Sequence, residues 1–212
     1  MKNDEVNEYR AHWDGAEARF RLFGFVFEGS QYRLEITDYW GCDVTDIIDD
    51  ADYYFTDQGA LWSLATVDTA SAGATLTWLH GYDYRIAASS YTQWRARTDM
   101  QLRYLAARSQ HSQPVVLPDG LRVIRMFPEW VGGPLWETFT DNYPAEPENL
   151  GLEQALADDL RTWNDAWAGE SVDPAHWRAE GVALHQRVQD ALNGIAEVAP
   201  QFLPPAASAG WW

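Results

Sequence analysis

The chain of 212 residues contains a single lysine, Lys2, and a single cysteine, Cys42. One cysteine excludes an intramolecular disulfide, so the fold must depend on core packing, and a reducing compartment is expected. No apolar run approaches the roughly 20 residues that a helix needs to cross a bilayer. The acidic start of the chain lacks the cationic and apolar parts of a signal peptide. We therefore expect a cytoplasmic protein with no membrane partner.

Positive charge is scarce along most of the chain. There are 15 Lys+Arg against 32 Asp+Glu, the formal net charge is −17, and neither lysine nor arginine occurs between Arg33 and Arg85. Seven arginines lie within residues 85–125, which form a basic segment between two acidic ends. Such a charge distribution disfavours direct binding of nucleic acid or anionic lipid and favours a basic protein as partner.

Motifs for catalysis and for cofactor binding are missing. The glycine pair Gly132-Gly133 has no lysine of a phosphate-binding loop beside it, and no sequence context marks Cys42 as a nucleophile. The acidic run from Asp43 to Asp52 lacks the alternating carboxylates and the turn glycine of a calcium loop. We therefore expect a protein that is not an enzyme and that holds neither a metal nor a cofactor.

Aromatic residues, in contrast, are abundant. Hydrophobic residues make up 46% of the chain, with 12 Trp, 10 Tyr and 8 Phe, which supply enough apolar area for a large core. Most tryptophans fall on predicted strands or helix stripes, where a core role is usual. Trp40, Trp130 and Trp136 fall in predicted loops and are candidates for exposed rings on which a sugar would stack.

Alternation of apolar and polar residues indicates a half-buried antiparallel sheet in the first part of the chain. The connections are too short for the crossover that parallel pairing needs. Leu34 and Ile36 are expected to face the core, and a helix is predicted at 92–108. The predicted strands are 21–27, 32–37, 61–67, 75–79, 84–91, 114–117 and 121–127.

The last part of the chain has a helical period. Leucines and tryptophans recur at spacings of four and three from Leu152 to Trp167, which places them on one face of a helix. Asp173 followed by Pro174 is typical of an N-cap and first helical residue, and the apolar stripe from Trp177 to Ile195 extends this second helix to about residue 198.

Together these patterns predict an α+β fold, with an antiparallel meander of about five to seven strands packed by two or three helices, the last two C-terminal. We expect one domain overall. Its predicted parts are a sheet region at 1–127, a Pro/Gly-rich connection at 128–149, a helical pair at 150–200 packed on the sheet, and a tail at 201–212.

The segments Pro134-Leu135-Trp136 and Leu150-Gly151-Leu152, then residues 159–167 and 177–181, resemble the C-terminal part of immunity proteins from bacterial polymorphic toxin systems. The resemblance covers the C-terminal third only and consists mainly of helix-packing tryptophans and leucines. It implies a small acidic bacterial protein that inhibits a toxin, and it carries over no functional residue.

The strongest functional signal is the acidic run with its aromatic neighbours, since carboxylates at this density repel one another unless solvent or a counter-charge offsets the repulsion. Aromatic rings among charges suit an interface with an apolar centre and a polar rim. An ordinary solvated acidic loop and a metal site are the competing interpretations. The predicted partner-binding residues are Asp43, Asp46, Asp49, Asp50, Asp52, Tyr53 and Tyr54.

These observations lead to the expectation of a non-enzymatic acidic protein that neutralises a basic protein, for example a nuclease toxin, by occluding its site. Two alternatives remain open at this point. One is a small hydrolase or carbohydrate-binding protein with a cleft lined by tryptophans and carboxylates. The other is an acidic structural subunit of a larger assembly.

Overall fold

The computed structural model describes residues 19–68, 75–109, 115–139, 144–167 and 173–203. Within these ranges the chain is α+β, with seven strands in two sheets and four helices, and none of these helices combines the length and apolarity needed to cross a membrane. The helices are α1 (Val44–Ala51), α2 (Tyr91–Arg108), α3 (Gln154–Trp167) and α4 (Pro174–Ala191). The strands are β1 (Arg19–Glu28), β2 (Gln31–Trp40), β3 (Leu61–Asp68), β4 (Thr75–His80), β5 (Arg122–Met126), β6 (Leu135–Glu137) and β7 (Ala196–Pro200).

The first sheet is antiparallel throughout and has the strand order β2-β1-β3-β4. The two predicted hairpins, β1–β2 and β3–β4, are confirmed. Gly29 has a φ of 70° in the tight turn between β1 and β2, a conformation that glycine adopts without strain. Leu34 packs against the core as expected, but the prediction for Ile36 is wrong, because the central buried cluster reaches Leu34 and not Ile36, which is 52% exposed.

The second sheet has the order β6-β5-β7, and its β5–β7 pair is parallel. The prediction of one antiparallel meander is therefore wrong in two respects: the strands divide between two sheets, and one pair is parallel. A parallel pair requires a long crossover connection, and the chain between β5 and β7 supplies it with α3 and α4. The α+β class and the two C-terminal helices are confirmed.

Several predicted boundaries also change. The predicted fifth strand at 84–91 is a turn followed by the start of α2, which Ser90 caps. Residues 115–117 form no strand, whereas the expected connection at 128–149 contains β6. The last helix ends at Ala191 rather than near residue 198, and after Gly194, at a φ of 76°, the chain enters β7.

The elements stack in five layers, in the order α1, first sheet, α2, second sheet, and the α3–α4 pair. Three clusters of buried apolar side chains lie between these layers. The central cluster joins both sheets to α2, because Phe25 of β1, Met100 and Leu105 of α2, and Ala199 of β7 all belong to it. Helix α2 thus links the two halves of the fold.

A buried polar group connects α2 to the second sheet. The guanidinium of Arg97 donates to both carboxylate oxygens of Glu197, and its Nη1 donates to the backbone oxygen of Tyr84 at 2.7 Å. Gln101 donates to Glu197 and to the Tyr84 hydroxyl. The two charged side chains are only 13% and 12% exposed, so each charge depends on the other for compensation.

The C-terminal core is built around two tryptophans. The rings of Trp163 and Trp177 stack with centroids 4.6 Å apart and an interplanar angle of 8°. Each indole Nε1 donates to the other residue's backbone oxygen at 3.0 Å. Phe202 lies edge-on against both rings, and Gly181 leaves the space that they occupy. Because the indole N–H groups are satisfied, these rings are buried without a polar penalty.

Candidate partner-binding site

The acidic run forms a helix, α1, rather than the loop that its composition indicates. Asp43 is the N-cap, with its Oδ1 accepting hydrogen bonds from the backbone nitrogen of Thr45 at 3.0 Å and from its hydroxyl at 2.9 Å. Ile47, Ala51 and Phe55 are buried at intervals of four residues, and this period of apolar positions turns the segment into an amphipathic helix.

The buried side of α1 packs on the outer face of the first sheet, against Leu22, Trp62 and Leu64. A π-helical turn, Asp52–Thr56, continues the helix and carries Phe55 onto the sheet. The Phe55 ring lies directly over Gly24 in the middle of β1, where a Cβ atom would overlap the ring. Glycine is otherwise unfavourable inside a strand, so this contact explains its presence there.

The opposite side of the helix and its π-helical turn presents five side chains to solvent, which we call the α1 acidic face: Asp46, Asp49, Asp50, Tyr53 and Tyr54. The first four are spaced i, i+3, i+4 and i+7, the spacing of a single helix face. Tyr53 is 67% and Tyr54 52% exposed, and their rings meet edge-on with centroids 5.2 Å apart. The face therefore combines a row of carboxylates with two exposed aromatic rings.

The carboxylates of this face have almost no partners among the described residues. Asp46 and Asp49 form neither an ion pair nor a side-chain hydrogen bond within those ranges, and Asp50 accepts only a 3.5 Å bond from the Tyr39 hydroxyl. Burial and the nearby Asp50 carboxylate both raise the pKa of Tyr39. The negative charge of the face is thus left to solvent or to a partner.

Most arginines are instead committed to acids elsewhere, although lysine and arginine are few. Arg21 binds Asp38 through two bonds of 2.6 and 2.7 Å, which holds the pKa of that carboxyl below its usual range. The other described pairs between acids and arginines include Arg33 with Glu28 and Glu35, Arg85 with Asp83, Arg97 with Glu197, Arg103 with Asp52, Arg122 with Glu137, Arg161 with Glu148, and Arg187 with Asp159.

Two of the seven predicted site residues have structural roles. Asp43 caps α1, and the hydrogen bonds from Thr45 lower the pKa of its carboxyl. The carboxylate of Asp52 accepts from Trp62 Nε1 at 3.1 Å and pairs with Arg103 at 3.2 Å. The other five predicted residues are those of the α1 acidic face.

The sequence did not predict the residues that hold this face in place. Trp62 follows Asp52 by 10 residues on a separate strand, and Arg103 follows it by 51 residues, so no helical or strand spacing connects either residue to the acidic run. The helix itself had a signal, the spacing of Ile47, Ala51 and Phe55, which the surrounding aspartates obscured because Asp is a poor helix former outside caps.

His80 lies beside the contacts of Asp52 with Trp62 and Arg103, which we call the anchor of the α1 acidic face. Its ring packs 4.7 Å from the ring of Trp62, measured between centroids, and its Nε2 is buried without a hydrogen-bond partner in the described part of the chain. Burial, with a further contribution from Arg103, lowers the pKa of His80 to about 4. The imidazole is therefore neutral at physiological pH and supports the anchor as an uncharged ring.

A second exposed aromatic surface is formed by the loop after β5 and the end of α3, and consists of Trp130, Val131 and Trp167, which we call the Trp130 patch. Trp130 is 70%, Val131 81% and Trp167 40% exposed. The two indoles meet edge-on at 5.3 Å, and buried Asn164 fixes the loop through two hydrogen bonds to the backbone of Glu129. The predicted exposure of Trp40 and Trp130 is confirmed, with Trp40 at 59%. The prediction for Trp136 is wrong, because it lies in β6 and its half-buried ring stacks on Phe127.

Neither a protein-family model, nor a curated protein, nor a solved structure matches this chain. In the described ranges, no three His, Cys, Asp or Glu side chains converge as metal ligands would. The predicted lack of a metal, of a cofactor and of catalysis stays a prediction. What the α1 acidic face offers chemically is negative charge at fixed spacing beside two rings able to pack against a partner.

Proposed function

We propose that this chain is a non-enzymatic binding protein that neutralises a basic protein, as an immunity protein neutralises a toxin, by covering the partner's anion-binding surface with the α1 acidic face. The observation that carries the proposal is the exposed row of Asp46, Asp49 and Asp50. These carboxylates lack cationic partners among the described residues, whereas most of the chain's arginines are paired elsewhere.

The physical basis is electrostatic complementarity. A nuclease or another protein that binds polyphosphate carries a positive cleft, and an acidic protein is steered toward that cleft at a raised association rate. Residues three and four apart on a helix have Cβ atoms about 5–6 Å from each other, and such a row of carboxylates suits a row of arginines or lysines. Tyr53 and Tyr54 provide large rings for the centre of such an interface. The C-terminal resemblance to immunity proteins supports the same function.

A matched pair of variants tests whether the binding is localised. One variant carries Asp46→Asn, Asp49→Asn and Asp50→Asn, and its control carries Glu146→Gln, Glu153→Gln and Asp165→Asn. All six residues are exposed, and the control acids have no ion pair or side-chain hydrogen bond in the described ranges, so both variants lose equal charge. Nona-arginine peptide serves as the probe, and calorimetry measures its affinity at low and moderate salt.

The α1 variant is expected to bind the peptide at least about tenfold more weakly than the control variant, because the lost carboxylates form a single face. Its affinity should also depend less on salt, since fewer charge pairs remain. Equal losses of affinity in both variants would show that peptide binding depends only on net charge. The α1 acidic face would then not be a specific binding surface.

The inhibitory role has its own test. Candidate toxins are basic proteins encoded directly beside this chain in its genome, and each is expressed in a host cell with and without it. Rescue of growth by the wild-type chain, and loss of rescue by the α1 variant, is the expected result. If the α1 variant rescues growth as well as the wild-type chain does, the inhibitory surface is not the α1 acidic face.

The Trp130 patch favours a second candidate function, the binding of a neutral carbohydrate. Trp130 is exposed on a loop held by Asn164, and Trp167 is exposed at the end of α3. The carboxylates of Glu129 and Asp165, which adjoin Trp130 and Asn164 in the chain, would accept hydrogen bonds from sugar hydroxyls. Titration with neutral hexasaccharides, read from tryptophan fluorescence, tests this function. Binding that disappears in Trp130→Ala would support it, and no binding by the wild-type chain would exclude that class of ligand.

A further inference from the structure

A cavity of about 780 Å³ opens where the end of β1 meets the end of α2 and the segment 115–118. This volume falls in the range of small-molecule sites in proteins, roughly 300–1,000 Å³. Its lining is mixed, and the apolar part includes Val26, Phe27, Val115, Val116 and Leu117. Arg108, Gln58 and Ser109 supply polar groups.

Arg108 differs from most arginines of this protein, because it has no carboxylate partner in the described part of the chain. Its Nε donates to the Tyr104 hydroxyl at 3.0 Å, and its guanidinium carbon lies 5.3 Å from the centroid of the Tyr104 ring. Gly59, at a φ of 84°, leaves space for the group, since a Cβ there would come within 3.0 Å of Arg108 Nη2. Tyr104 therefore holds the guanidinium in place, while the two Nη groups donate to no described residue.

Arg108 also lies in the last turn of α2, where a positive charge stabilises the negative end of the helix dipole. That role uses the charge of the guanidinium but not its Nη donors. In a chain with 32 Asp+Glu, an arginine that lines a large cavity and keeps these donors unoccupied indicates a ligand that brings its own anion. The apolar part of the lining indicates that the ligand also carries a hydrocarbon portion.

We propose that this cavity binds a small amphipathic carboxylate, with the carboxylate on Arg108 and an aliphatic body against Val115 and Val116. The site lies apart from the α1 acidic face and does not depend on the function proposed for that face. It gives a ligand-binding role to the basic segment 85–125, in which the other described arginines have acidic or backbone partners.

Isothermal titration with sodium octanoate and with 1-octanol tests the site. The wild-type chain is expected to bind octanoate saturably and to bind 1-octanol more weakly. Arg108→Gln should weaken octanoate binding about tenfold or more, and should change 1-octanol binding by less than about twofold, because only the anion uses the guanidinium. Ala107→Phe, at an exposed helix position on the cavity rim, should weaken the binding of both compounds.

Arg178→Gln is the matched control, since Arg178 is exposed on α4 and has no described ion pair or hydrogen bond. It should leave octanoate binding unchanged, as should the triple Asn variant of the α1 acidic face. No saturable octanoate binding by the folded wild-type chain would overturn the proposal. Equal octanoate affinity in wild type and Arg108→Gln, or equal losses in Arg108→Gln and Arg178→Gln, would also overturn it.

Discussion

The α1 acidic face and the C-terminal tryptophan core use the chain's two most conspicuous residue types in opposite ways. In the core, Trp163 and Trp177 are buried, stacked and hydrogen-bonded to each other's backbone. On the face, Tyr53 and Tyr54 are exposed, and the carboxylates beside them have almost no described partner. Composition alone does not separate a structural residue from a binding residue, whereas the state of its polar groups does.

Acidic residues show the same contrast. Glu197 is nearly buried and is satisfied by Arg97 and Gln101, so removing any one of these partners leaves a buried polar group uncompensated. Asp46 and Asp49 are exposed, and solvation already stabilises their charges. The free energy of unfolding should therefore depend on Glu197 and its partners, and partner binding should depend on Asp46 and Asp49.

The largest effect on stability is expected in the tryptophan core. Trp163→Ala removes the stacked ring and its hydrogen bond to Trp177, and it should lower the free energy of unfolding by about 3–5 kcal/mol in urea denaturation. Trp167→Ala, one turn further along α3 and 40% exposed, should cost less than about 1 kcal/mol. Similar losses in the two variants would mean that Trp163 is not a core residue.

The contact between Gly24 and Phe55 tests how α1 is attached to the sheet. Gly24→Ala should lower the free energy of unfolding by about 1–3 kcal/mol, because the new methyl group displaces the ring of Phe55. Phe55→Leu makes room for the new methyl group. The double variant should therefore lose less free energy of unfolding than the sum of the losses in the two single variants. Gly133→Ala, with open space around its Cβ position, is the control, and a loss there as large as at Gly24 would contradict the account.

The anchor beneath the face predicts a dependence on pH. The pKa of His80 is about 4 in the folded chain and 6.5 ordinarily, so between these values the unfolded chain binds more protons. The free energy of unfolding should therefore fall as pH falls from 6.5 toward 4, by on the order of 2 kcal/mol from this residue. Urea denaturation of His80→Phe at pH 7.5 and 4.5 should show a smaller fall than wild type, whereas exposed His176→Phe should match wild type.

The smallest effect on stability is expected at the α1 acidic face itself. The triple Asn variant at 46, 49 and 50 should melt at the same temperature as wild type or slightly higher, since removing like charges at i, i+3 and i+4 relieves repulsion of about 0.2–0.5 kcal/mol per pair. Asp52→Ala, which removes the partner of Arg103, should instead cost about 1 kcal/mol. A collapse of the triple variant would show that these carboxylates are internal ligands.

Local patterns predicted the two hairpins of the first sheet, helix α2, and the start of α4 at Asp173 and Pro174, because alternation, caps and helical spacing are properties of short segments. The second sheet was not predicted. Its parallel pair joins β5 to β7 across two helices, and no local signal records such a pairing. The end of α4 was missed because the apolar stripe continues to Ile195, although Asn193-Gly194 is typical of a helix end.

For the site, the sequence predicted the exposed residues better than their support. Asp46, Asp49, Asp50, Tyr53 and Tyr54 form one face, but only the structure distinguishes them from Asp43, a cap, and Asp52, an anchor. Exposure and missing counter-charges depend on where distant arginines fold. The cavity beside Arg108 also has no sequence signature, because residues from separate segments of the chain line it.

Backbone amide chemical shifts, recorded by NMR during a titration with nona-arginine, test the central claim most directly, because they locate the bound peptide on the wild-type chain. The account predicts that the largest shift changes fall within residues 46–54 and saturate together at low salt. Changes centred on Glu146, Glu153 and Asp165, or spread evenly over all exposed acids, would contradict it.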